Sequence, residues 1–82
     1  MRKIHEETDT HVYDLRVGYP LTTAKVTDKQ YGYVATGSAR CDPTDEYNEL
    51  FGANLALSRA QNRLYRKLEK HYIRYSKNFT RG

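Results

Sequence analysis

Between Arg40 and Leu50 the apolar residues of this chain change their period, and that change constrains the fold more than any other feature. Before the break they recur every second residue, as a strand buried on one face requires. After it they recur every third or fourth, as a helix with one buried stripe requires. His11 to Val17 sets Tyr13, Leu15 and Val17 on one side and Val12, Asp14 and Arg16 on the other. Gly18-Tyr19-Pro20 then punctuates the chain. Leu21 to Thr27 is rich in β-branched residues, with Ala24 and Val26 opposite Lys25 and Thr27. Asp28-Lys29-Gln30 reads as a polar hairpin turn. The third strand, Tyr31 to Cys41, carries Tyr31, Tyr33, Ala35, Gly37, Ala39 and Cys41 on one face and Val34, Thr36, Ser38 and Arg40 on the other. Small residues in the middle of the first face leave room for a helix to come close.

The break itself is a helix-start signal. Asp42 can accept from free backbone amides, Pro43 suits the first helical position, and Asp45 and Glu46 suit the positive end of the dipole. Asn48 is a second candidate cap, so the start lies anywhere from Pro43 to Leu50. From about Leu50 to Tyr75 the stripe is Ala53, Leu57, Ala60, Leu64, Leu68 and Tyr72, widened by Phe51, Leu55 and Ala56. The expected fold is α+β, a three-stranded antiparallel sheet packed by one long C-terminal helix in the order β-β-β-α. At 82 residues the chain makes one domain, residues 11–75, with a flexible lead-in over 1–10 and a basic tail over 76–82. A helix of about 26 residues runs to roughly 39 Å. The strands run to roughly 23–36 Å before twist shortens them. The turns from about Tyr65 onward are therefore expected to overhang the sheet. They still carry Leu68, Tyr72, Ile73 and Tyr75. An apolar overhang needs a partner.

The third strand and helix start resemble a small actinobacterial domain family of unknown function. The residues that carry the resemblance are Gly37-Ser38-Ala39-Arg40-Cys41-Asp42-Pro43-Thr44-Asp45, then Gly52-Ala53-Asn54-Leu55-Ala56-Leu57-Ser58-Arg59-Ala60 and Leu64. That family resembles the double-stranded-RNA-binding domain in fold and also occurs in phages of those bacteria. The resemblance spans roughly residues 31–68 and brings no reaction or ligand. It implies a similar sheet-and-helix fold here. Members of the family end their helix soon after the position of Leu64. Here Tyr65 to Tyr75 continues it, so a function particular to this chain is expected in the extension.

Charge points the same way. Residues 1–49 hold six basic against nine acidic side chains, net −3, whereas residues 50–82 hold eight basic and the single acid Glu69, net +7. Such segregation hints at an anionic partner, although acids at a helix start and bases toward its end also suit the macrodipole. Arg59, Arg63, Arg66, Lys67, Lys70, Arg74 and Lys77 recur at three- or four-residue steps, with Tyr65, Tyr72 and Tyr75 between them. Lysine and arginine neutralise phosphates, and tyrosine stacks on unpaired bases. RNA or DNA held through phosphates, without sequence preference, is one reading of this row. A reader of double-stranded RNA needs several separated contact elements, and the acidic start of this helix supplies none of them.

The other reading is a protein partner. Tyrosine and arginine anchor interfaces, and the extension offers Leu68, Tyr72 and Ile73 as an apolar surface. Self-association into a homodimer is the commonest use of such surfaces. A phage-encoded chain would instead meet a host protein whose activity it blocks. Chemistry is not expected. Cys41 is the only cysteine and reads as a packed thiol, and His5, His11 and His71 have no ligand spacing and read as surface groups. Asp42, Asp45, Glu46 and Glu49 serve helix capping rather than a metal, and Gly32 and Gly37 form no phosphate loop. No enzyme, cofactor, metal or catalytic residue is expected. Without an apolar run of about 20 residues or a signal peptide, the expected location is the cytoplasm.

Overall fold

A computed structural model describes residues 2–44 and 46–80, the side chains of residues 75–80 excepted. The expected Asp45 contribution to the helix start lies outside the described residues. Five elements follow in order: β1 (Arg2–Glu7), β2 (His11–Val17), β3 (Leu21–Asp28), β4 (Val34–Arg40) and α1 (Glu49–Thr80). The strands form one antiparallel meander in the order β1-β2-β3-β4. The sheet thus has four strands, not three. The segment expected as a flexible lead-in pairs with β2 along its whole length, Arg2 opposite Val17 and Glu7 opposite Val12.

The physical reason is visible in the turn and the pairs. Thr8 N–H donates to the His11 carbonyl at 2.8 Å, and the Thr8 hydroxyl accepts from the His11 amide at 3.0 Å, closing a short turn. Across the strands, His5 faces Asp14 with Nδ1 and Oδ1 2.5 Å apart. Only Ile4 reaches the core. β1 is held by backbone pairing and charge rather than by an apolar face.

The core lies between the sheet and α1. Leu15, Val17, Ala24, Val26, Ala35 and Ala39 come from the strands, and Ala56, Ala60 and Leu64 from the helix. Gly37 decides how close the layers come. A Cβ on it would stand 2.4 Å from the Ala60 nitrogen and 2.5 Å from the Ala56 carbonyl oxygen. Glycine lets the helix backbone rest directly on β4, as the small strand face suggested.

Asn48, the second of the two candidate caps, sets the helix start: its Oδ1 accepts from the Phe51 amide at 3.0 Å. Asp42 instead closes a separate turn, accepting from the amide and hydroxyl of Thr44. Glu49, in the first helical turn, pairs with Arg2 of β1. At the far end α1 runs to Thr80, past the expected limit at Tyr75 and through most of the stretch read as a tail.

The overhang also begins later than expected. The side chain of Lys67 meets the Val34 carbonyl at the start of β4. The β3–β4 hairpin then extends the support. Asp28 Oδ2 accepts from the Tyr31 amide at 2.8 Å, and Gly32 takes a positive φ of 75°, a conformation that favours glycine. This turn sets Tyr31 and Tyr33 against His71, and the Tyr33 hydroxyl lies 3.1 Å from His71 Nδ1. Unsupported helix starts near Ile73, not at Tyr65.

Candidate functional site

On a helix advancing 100° per residue, Arg59, Arg63, Arg66, Lys67, Lys70 and Arg74 fall within about 100° of arc. This arc borders the buried stripe of Ala56, Ala60 and Leu64 on the side of β4. Three of the six are used there. Arg59 Nη1 donates to the Ser38 carbonyl at 2.7 Å, Arg63 Nη1 to the Thr36 carbonyl at 2.9 Å, and Lys67 Nζ to the Val34 carbonyl. Four helical residues advance about 6.0 Å, and two strand residues about 6.7 Å. The near match lets an i, i+4, i+8 series of cations meet every second carbonyl of an antiparallel strand. The small mismatch is absorbed by the long side chains.

This ladder covers the outer edge of β4. Unpaired edge carbonyls invite another strand, and a row of cations over them is a known means of blocking it. An arginine has five N–H donors, so Arg59 and Arg63 keep most of theirs for an additional acceptor. Arg66, Lys70 and Arg74 are exposed and, among the described residues, make no hydrogen bond or ion pair. From Arg59 to Arg74 the row spans about 22 Å of helix.

The tyrosines and apolar residues divide likewise. Leu68 is half-buried against the core. Tyr72 packs edge-on against Tyr31 at 6.0 Å, yet remains 49% exposed; Ile73 is 46% exposed and Tyr65 56%. Tyr75 and Lys77 have side chains outside the described residues. At the opposite end of α1, Leu50 and Phe51 are also exposed. His71, read as a surface group, is half-buried within the Tyr31, Tyr33 and Tyr72 cluster. Its position seven residues, about two helical turns, after buried Leu64 is the available signal, since that spacing returns it to the core side.

Two titratable groups are displaced. The hydrogen bond that the His5 ring donates to Asp14, reinforced by the carboxylate charge, raises His5 above the usual histidine value. The amide and hydroxyl of Thr44 hold Asp42 below the usual carboxylate value. Both are exposed. Among the described residues no three of His, Cys, Asp or Glu are grouped to hold a metal ion, and no helix is long and apolar enough to cross a membrane. The thiol of Cys41 donates to the Asp42 carbonyl at 3.5 Å. Compared with protein-family models, curated proteins and solved structures, the chain matches none.

Proposed function

We propose that this chain is a non-enzymatic binding protein of the cytoplasm that holds a protein partner through the distal half of α1. Tyr72 and Ile73 act as apolar anchors, with Arg66, Lys70 and Arg74 as a cationic rim. The observation that carries this reading is the exposure of Tyr72 and Ile73 where the supporting hairpin ends, beside cations that no described acid neutralises. Aromatic anchors within a charged rim are the usual composition of an interface hot spot. The partner would offer an acidic surface around an apolar recess. If the resemblance to the actinobacterial and phage family holds, a host regulator is the natural partner for a phage-borne copy. Affinity capture with the wild-type chain and with Ile73→Glu tests the reading. A protein retained by the first and lost by the second supports it; identical retention by both opposes it.

The cation row favours a second reading, binding of RNA or DNA through phosphates. Arg59 and Arg63 are held in place by the β4 carbonyls, so less side-chain freedom remains to be lost when a polyanion docks. Titration of labelled RNA and DNA at 50 and 200 mM salt separates the readings. Phosphate-driven binding weakens steeply between the two concentrations. No binding at the lower concentration removes this second reading.

A further inference from the structure

The two edges of the sheet are treated differently. β4 is covered by Arg59, Arg63 and Lys67, whereas β1 forms the other edge and α1 lies over the opposite half of the sheet. Among the described residues, the backbone pairing of Arg2–Glu7 runs to β2 alone. An open edge of six residues offers about six backbone hydrogen bonds to an antiparallel strand.

We propose that a second copy of this chain pairs antiparallel along β1 about a two-fold axis through Ile4, making one continuous eight-stranded sheet. The charges of the strand select both the occupant and the register. A two-fold perpendicular to the sheet keeps helix-side residues opposite helix-side residues, so Arg2, Ile4 and Glu6 must face one another. Ile4 is assigned to that side by its pairing with buried Leu15 and its contact with the core. With Ile4 on the axis, Arg2, which already pairs with Glu49 of its own chain through one guanidinium nitrogen, turns its remaining donors toward Glu6 of the second copy, and the symmetry makes this contact twice. Sliding by one step in either direction sets Ile4 against Arg2 or Glu6 and loses both pairs. The basic start and acidic end of Arg2-Lys3-Ile4-His5-Glu6-Glu7 thus suit self-pairing.

On the opposite face Lys3 meets His5 of the second copy. Asp14 already accompanies that histidine at 2.5 Å, and Glu7 of the second copy lies diagonally adjacent. The helices do not collide. Each sits over β3 and β4, two to three strand spacings from the axis, so the two stand roughly 25 Å apart or more. This surface is separate from the distal end of α1, and the inference does not depend on the proposed partner there.

Sedimentation of the full chain tests it. Wild type is expected to sediment as a dimer of the 9.6 kDa chain. Glu6→Arg places Arg2 against an arginine, and Arg2→Glu places Glu6 against a glutamate, so each variant alone should dimerise about tenfold more weakly or worse. Mixing the two folded variants makes every cross-pair complementary again and should restore a one-to-one dimer. Circular dichroism establishes that each variant is folded before mixing. Ile73→Glu should leave the dimer intact. A monomeric wild type, singly reversed variants that dimerise like wild type, a mixture that stays monomeric, or dissociation by Ile73→Glu would each overturn the proposal.

Discussion

The backbone of α1 at Ala60 passes so near Gly37 that a methyl group on the glycine would stand 2.4 Å from the Ala60 amide nitrogen. The obstructing atoms are helix backbone, Ala56 and Ala60 together, and cannot rotate aside. Replacing a strand glycine with alanine ordinarily favours folding by about 0.5–1 kcal/mol. Here overpacking wins, and Gly37→Ala should destabilise the fold by about 3 kcal/mol. Denaturant unfolding of the two proteins measures the difference.

Leu64 has no exposed surface, whereas Ile73 retains nearly half of its own. Leu64→Ala should therefore leave a cavity and cost about 2–5 kcal/mol. Ile73→Ala should stay within about 0.5 kcal/mol of wild type. Equal losses in thermal unfolding would mean that Ile73 has a structural role in the isolated chain.

Stability should vary with pH through His5 and Asp42, in opposite senses. His5 titrates above 6.5 when folded, so its contribution is complete below 6.5 and disappears as pH rises through the raised value. Asp42 titrates below 3.8 when folded, so its contribution is complete above 3.8 and disappears as pH falls through the lowered value. Denaturation midpoints should decline slightly as pH rises above 6.5 in wild type and not in Asp14→Asn. Asp42→Ala should flatten the acid limb instead.

Removing the cations over β4 should change association more than stability. Arg59→Ala, Arg63→Ala and Lys67→Ala together expose the carbonyls of Ser38, Thr36 and Val34. Light scattering should then report species larger than those of wild type, growing with concentration. The control combines Arg66→Ala, Lys70→Ala and Arg74→Ala, which removes equal charge but no edge contact. It should scatter like wild type.

Much of this arrangement is legible in the residues themselves. Alternation of Tyr13, Leu15 and Val17 marks β2, and the small face around Gly37 announces a close helix. β1 escapes the same reading because Ile4 is its only contribution to the core, and its pairing depends on backbone groups that no side-chain period records. The cation row is visible as a helical stripe. Its attachment to β4 is not, because that depends on the register between two elements and not on either alone. His71 fails for a related reason: the tyrosines that surround it lie 38 to 40 positions earlier and on its own helix.

The ladder of Arg59, Arg63 and Lys67 also has a stoichiometric consequence. A sheet with two open sides has a valence of two and can add copies without limit. With β4 closed, this molecule has a valence of one, so pairing along β1 consumes the remaining site. Assembly by the proposed pairing would be chain-terminated at its first step, with the same helix that completes the core as the terminator.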